Sequence, residues 1–152
     1  TLLAAVYGAS TLTAMAAIGV ATIPAFARVS RAGTKQVMAS DFVLAARSSG
    51  TSRWGIAGRH VLPNIAPLVG VQASVGFAMA ILAEAALSYL GLATPRPNPT
   101  WGNMLRDAQQ FLFVAPLQAL WPGLAIALAV LGFNLLGDGL RDYLDPRLRE
   151  VS

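Results

Sequence analysis

Three charge-free apolar runs divide the chain: Thr1 to Ala27, Val61 to Ala83 and Ala108 to Gly137. Each meets or exceeds the roughly 20 apolar residues that carry a helix across a hydrocarbon core about 30 Å thick. A soluble protein of this size could not hide three such runs in one core. The pattern predicts an all-α, multi-span transmembrane helical bundle with spans at about 12–27, 64–90 and 116–137. Residues 1–11 read as the tail of an earlier span (Thr1 to Tyr7) and a turn (Gly8 to Thr11). They lack the basic leader of a signal peptide, so the expectation is a fragment whose main membrane domain is 12–149.

Composition supports lipid as the solvent. The 152 residues are 55% hydrophobic and only 12% charged, against about 25% charged in soluble domains. The charges also gather between the runs. Arg28 to Pro63 carries Arg28, Arg31, Lys35, Arg47, Arg53 and Arg59 against Asp41 alone. The basic residues of Leu92 to Ala115 are only Arg96 and Arg106, while the tail has Arg141, Arg147 and Arg149. Lys/Arg bias sets orientation, which places the first loop and the tail in the cytoplasm and the 92–115 loop outside. Topology thus accounts for the net charge of +4. Nucleic-acid binding, which would want exposed aromatics among the basic residues, is not expected.

Within the spans, Asn64 is a candidate N-cap with Pro67 in the first turn. Small residues recur four apart at Ala66 and Gly70, Gly70 and Ser74, and Gly76 and Ala80. Such a stripe lets helix backbones approach closely in lipid. Trp121-Pro122-Gly123 predicts a kink or an irregular start to the last span. Asn134 is the one strongly polar side chain at depth there, a candidate for a helix–helix hydrogen bond or for a pathway lining. Glu84 is the only acid inside a span, shallow and toward the outer side. It is a candidate gate or ion-coupling group, or a hydrogen-bonded carboxylate.

The loops carry further elements. Ser40 is a candidate cap for a short helix, with Phe42, Ala45, Ala46 and Ser49 on one face. Gly50 suits a left-handed C-terminal position. Ser52 then starts a second helix, with Trp54, Ala57 and Val61 on one side, and Pro63 stops it. Two short helices joined at a glycine make a compact knob. Its apolar face with basic flanks fits a groove on another protein, and equally an anionic lipid surface. Outside, Pro95, Pro97 and Pro99 predict a stiff extended stretch. Thr100 is placed to cap a helix bearing Trp101, Met104, Leu105 and Ala108 on one face, with Trp101 in the interfacial belt. That loop reads as a lid on the bundle or a landing surface for an external partner.

Enzyme chemistry is poorly provided for. There is no cysteine and His60 is the only histidine, so neither a disulfide nor a metal cluster is expected. No phosphate-cradling glycine loop before a lysine and no nucleophile elbow occur.

Ala45-Ala46-Arg47-Ser48-Ser49-Gly50, followed by Arg59-His60-Val61-Leu62-Pro63-Asn64, resembles the EAA cytoplasmic loop of binding-protein-dependent ABC importer permeases. Ala83 to Leu92, Trp101-Gly102-Asn103-Met104-Leu105, and Phe133 to Asp142 with Asp145-Pro146-Arg147 resemble the dipeptide/oligopeptide/nickel subgroup, specifically the C-terminal half of its C-type subunit. Glu84-Ala85-Ala86 spells the motif's name but falls on the wrong side of the membrane. The true loop has Leu44 where Glu is usual, which replaces an ionic contact by an apolar one.

The resemblance implies a partial type I ABC importer permease fold, multi-pass in a bacterial or archaeal cytoplasmic membrane. It implies that 38–63 is the coupling loop, with Asp41, Phe42, Leu44, Ala45, Ala46, Arg47, Gly50, Arg59, His60, Leu62 and Pro63 at an ATPase interface. Pro95, Pro97, Pro99 and Trp101 become candidate contacts for an extracytoplasmic solute-binding protein. The small-residue face becomes part of an interface with a homologous second permease subunit. Two cytoplasmic ATPase subunits would hold ATP and magnesium; this chain would bind no cofactor. Glu84 and Asn134 remain candidate gate or pathway residues. The implied role is a subunit forming the translocation pathway for peptides or similar small solutes. The alternatives are a non-transporting assembly subunit or permease fragment, and an ion-coupled carrier.

Overall fold

A computed structural model describes residues 10–95 and 97–144. All regular structure among them is helical. Five helices follow in order: α1 Thr11–Met38, α2 Asp41–Ser48, α3 Arg53–Tyr89, α4 Trp101–Gln109 and α5 Leu117–Leu144. Three of these, α1, α3 and α5, are long and apolar enough to cross a membrane. The expected earlier span and turn fall mostly in residues 1–9, outside the described residues. So does Asp145-Pro146-Arg147.

The long helices extend beyond the apolar spans. α1 continues past Arg28 to Met38 because Arg28, Arg31 and Lys35 are good helix formers, and Lys35 in the last turn complements the helix dipole. α5 runs seven residues beyond Gly137, to Leu144, with Pro122 fully buried inside an unbroken helix.

The largest departure is at Pro63. The sequence predicts a stop there and a new start at Asn64, yet α3 passes through both. Residues Arg53–Ile56 are α-helical, Ala57–Val61 form a π-helical turn, and Leu62–Tyr89 are α-helical again. The Leu62 amide donates to the Ala57 carbonyl, the wide i→i+5 bond of a π turn. That wider turn eases the clash of a proline ring with the preceding carbonyls. Asn64 does not cap. Its Nδ2 donates to the His60 carbonyl at 2.7 Å, occupying an acceptor within the proline-interrupted ladder.

Contacts divide the chain into two compact units, and the division cuts each long helix. One contains residues 10–22 and 76–134; the other contains 23–75 and 135–144. In the second unit the small residues of α3 are used within the chain. A Cβ on Gly137 would meet Ser74 Cβ at 3.1 Å, and Gly70 faces Leu140. Ser74 is buried. The Gly70–Ser74 stretch therefore packs on α5, which corrects its assignment to a second permease subunit. Gly33 of α1 likewise lies against Leu68 and Ile65 of α3.

In the first unit α4 packs on α3 through Gly102. A Cβ there would collide with the Ala85 carbonyl oxygen and lie 2.8 Å from Ser88 Cβ. Replacing Gly102 by Ala should cost about 1–3 kcal/mol through overpacking against backbone. Gly132 has open space around its Cα, so Gly132→Ala should hold or slightly raise stability through helix propensity. Thermal melting of the two variants in detergent tests the contrast.

Candidate functional site

The loop between α1 and the apolar part of α3 folds as a small core of its own. α1 ends in tightened i→i+3 bonds, from the Ala39 amide to Gln36 and the Ser40 amide to Val37. Ser40 sits at the N-cap of α2 with extended backbone, but its side chain makes no forward cap. Its Oγ donates back to the Val37 carbonyl. Asp41 in the first turn supplies the negative charge that the helix N-terminus favours.

α2 stops at a Schellman motif. The Gly50 amide donates to Arg47 O at 3.0 Å and the Thr51 amide to Ala46 O at 3.1 Å. Gly50 has φ +78°, as the sequence anticipated. Ser52 then caps α3, its Oγ accepting from the Gly55 amide at 3.2 Å. Local chemistry therefore determines the turn between the two helices.

Val43, Ile56 and Val61 are buried together, with Val37, Met38, Ala46 and Ile65 packed on them. This is not the pairing expected from α-helical periodicity. Trp54 is 88% exposed and Ala57 is exposed, whereas Ile56 takes the inward place. The π turn is the reason: it sets residues five apart on one face, which aligns Ile56 with Val61. On α2, Val43 rather than Phe42, Ala45 and Ser49 faces the core. The last three remain exposed.

The candidate coupling residues thus gather around one core and divide into two kinds. Ala46 belongs to the packing. Asp41, Phe42, Leu44, Ala45, Arg47, Gly50, Arg59, Leu62 and Pro63 are exposed. Phe42 and Leu44 are 48% and 49% exposed, large apolar side chains outside the core. His60 is half-buried, its ring 5.9 Å from that of Phe42 at a 49° tilt, so the second motif segment meets the start of α2. The sequence reading missed Trp54 as a candidate contact; a Trp beside Arg53 in a basic loop was the available signal.

The other candidates lie elsewhere. Glu84 is half-buried, and its Oε1 accepts from Ser88 Oγ at 2.6 Å. Ser88, fully buried, in turn accepts from the Thr94 amide at 3.5 Å. Thr94 and Thr11 pair through their hydroxyls at 3.1 Å. Glu84 is therefore tied into a network joining α1, α3 and the 92–100 loop.

That loop is not the extended proline stretch expected. The Asn98 amide donates to the Pro95 carbonyl at 3.2 Å, closing a turn. Asn103 holds it: Nδ2 donates to Thr94 O at 3.0 Å and Asn98 O at 3.2 Å, while its amide donates to the Thr100 cap at 3.1 Å. Pro95, Pro97 and Pro99 are exposed on this turn, and Trp101 is exposed beside it. Gly102, Asn103 and Ala108 form the buried side of α4, so Ala108 turns inward while Trp101 and Met104, expected on the same face, stay exposed. Asn134 is exposed on α5. Among the described residues, no group of three or more His, Asp or Glu could hold a metal ion.

Residues 2–150 match the profile of a family described as the binding-protein-dependent transport system inner membrane component. The chain is 44% identical over 146 residues to the dipeptide transport system permease protein DppC of Alkalihalophilus pseudofirmus, covering 95% of this chain and 48% of that protein. It is 43% identical over 145 residues to the glutathione transport system permease protein GsiD of Pectobacterium atrosepticum, with the same coverage. The Escherichia coli O1:K1 glutathione permease protein is 42% identical over 145 residues, again covering 95% and 48%. The chain spans about half the length of the curated relatives it matches.

Gly50→Val should strain the Schellman turn by about 1–2 kcal/mol, because a β-branched residue is penalised at φ +78°. Phe42→Ala, outside the core, should stay within about 0.5 kcal/mol. Limited proteolysis of the folded protein is the readout: faster cutting at residues 49–52 in the first variant, unchanged in the second.

Proposed function

We propose, on the premise that the chain belongs to the binding-protein-dependent transport system inner membrane component family, that it is a permease subunit of an ATP-driven importer of short peptides. The observation that carries this reading is the knob formed by α2 and the start of α3. It has a packed core of its own, yet leaves Phe42, Leu44 and Trp54 exposed. Exposed apolar anchors on a folded knob suit a groove on a partner. The relatives' roles, dipeptide and glutathione transport, support short peptides as the cargo class.

In this reading the chain carries out no bond chemistry and holds no cofactor. Two cytoplasmic ATPase subunits bind ATP and magnesium. Their closure moves the knob, and the spans tilt as rigid bodies between inward-open and outward-open states. A second, homologous permease completes the pathway, and an extracytoplasmic solute-binding protein delivers the peptide to the side bearing the Pro95–Trp101 turn. Glu84 serves as a positioning residue for that turn through Ser88 and Thr94, rather than as a proton carrier. The Arg28–Arg59 charges place the knob in the cytoplasm by the positive-inside rule.

Two measurements test this on the complete importer in proteoliposomes. Dipeptide uptake should need ATP and survive an uncoupler, and Glu84→Gln should retain ATP-driven uptake. Uptake that persists without ATP but collapses with the proton gradient would replace this reading by an ion-coupled carrier. Combining Phe42→Ala with Leu44→Ser should lower ATPase co-purification by about tenfold or more, since each exposed apolar group forfeits a share of its roughly 1.5–3 kcal/mol burial gain. Unchanged co-purification would remove the knob as the docking element.

A further inference from the structure

α4 and α5 are joined by a turn with four consecutive exposed large apolar residues: Phe111, Leu112, Phe113 and Val114. Phe113 is 102% exposed, so its ring touches almost nothing in the chain. Such a run in the open is unfavourable unless something apolar receives it. We propose that this turn is a membrane anchor: it inserts its side chains into the acyl-chain boundary of a phospholipid leaflet, at the Leu117 end of α5.

Three observations favour lipid as the occupant. The first is level. From Leu117 to the first charge at Asp138 there are roughly 20 helical residues, about 30 Å of helix, which already fill a hydrocarbon core. The turn immediately before Leu117 therefore lies at the boundary of that core, neither at its centre nor far into water. The second is backbone satisfaction. The Phe111, Leu112 and Val114 amides donate to Ala108, Gln109 and Phe111 carbonyls at 3.0, 3.4 and 3.0 Å, and the Ala115 amide donates to Phe111 O at 2.7 Å. Pro116 has no amide proton to satisfy. The turn thus bonds four of its five amides internally and sheds water at reduced cost; the Phe113 amide makes no backbone bond in the turn, and the water of the interfacial level can serve it.

The third observation is continuity. No charge occurs between Ala108 and Gly137, and Leu117, Trp121 and Leu128 on α5 are also exposed. Trp at this level is the residue type that marks the membrane boundary. On the other flank, Tyr89 Oη donates to Gln109 Oε1 at 2.8 Å, so polar groups sit one turn before the apolar run. The resulting order along the chain is a polar helix end, an apolar wedge, then a span. The absence of basic residues in the wedge makes the insertion hydrophobic, so a zwitterionic bilayer suffices.

This inference needs only the three spans, not the transport role, so the two can fail separately. The chain has no cysteine, which permits a single nitroxide at Phe113→Cys in the complete importer with cysteine-free partners, reconstituted in phosphatidylcholine vesicles. Collisional relaxation by oxygen should exceed that by an aqueous nickel complex several-fold. The same label at Gln110→Cys, exposed and polar in place, should show the reverse order. A label at Phe113 that relaxes mainly with nickel would put the turn in water. One shielded from both reagents would put it under a protein partner. Either result overturns the anchor.

Discussion

The long helices hardly bury themselves against one another. Only 6%, 11% and 11% of their most apolar windows are buried within the chain. Within this chain hydrophobic burial, which dominates the stability of soluble domains, thus contributes little to helix association. What forms each of them is the demand that lipid makes on the backbone. Every amide and carbonyl at depth must find an internal partner, and helices meet that demand segment by segment. The tertiary structure then depends on a few points of close approach. Gly102 against the Ala85 carbonyl, Gly137 against Ser74 and Gly33 against Leu68 are such points. Each places a glycine where a Cβ would touch or overlap a neighbour, the mode of helix association expected where apolar area gives no advantage.

The knob follows different rules because water reaches it. Val43, Ile56 and Val61 form a core of the kind a small soluble domain would use, only a few residues in extent. Seven packed residues cannot order two short helices by burial alone, and the local motifs supply the rest. A Schellman turn at Gly50 and a serine cap at Ser52 restrict the chain between the helices before the core forms. The π turn sets the inward face of α3 through Ile56 and Val61, and Pro63 follows immediately. A proline in this place has no amide to lose from a ladder that is already widened. The same local feature thus sets the core's pairing and carries the helix through a residue that ordinarily ends one.

These differences explain which parts of the fold were legible in the sequence. Charge-free runs longer than a bilayer thickness have one economical reading, and α1, α3 and α5 conform to it. Gly50, Ser52 and Thr100 were legible because caps and left-handed turns are decided within four residues. Pro63 and Asn64 were not, because the stop and cap rules assume an α ladder. One π turn shifts the phase by a residue, and so exchanges Ile56 for Ala57 on the inward face and leaves Trp54 in the open. The prolines at 95, 97 and 99 suggested extension because their neighbours offered no alternative; Asn103 provides it from the next helix. Likewise a stripe of small residues says that a backbone comes close, not which one, and for Gly70 and Ser74 it is α5 of the same chain. The candidate coupling motif was legible only by resemblance, and its division into packed and exposed residues depends on the tertiary fold.

Leu44 shows how magnitudes bear on the proposed role of the knob. The resemblance to the importer loop implies Glu at this position, and in the proposed complex Leu44 removes one ionic contact to an ATPase. An exposed ion pair contributes about 0–1 kcal/mol and weakens with salt. Burying a leucine side chain contributes about 1.5–3 kcal/mol, with little dependence on ionic strength. Leu44 is half-exposed, as is Phe42, its neighbour but one on α2, so each retains apolar area for a partner to cover. Asp41 and Arg47 flank the pair and remain in solvent, where they can set orientation without being buried. In the proposed complex, contact strength comes from desolvated apolar area and alignment from the surrounding charges. Exchanging Glu for Leu then shifts the docking free energy from an electrostatic to a hydrophobic source, and the geometry that presents it, from the Schellman turn to the π turn, needs no alteration.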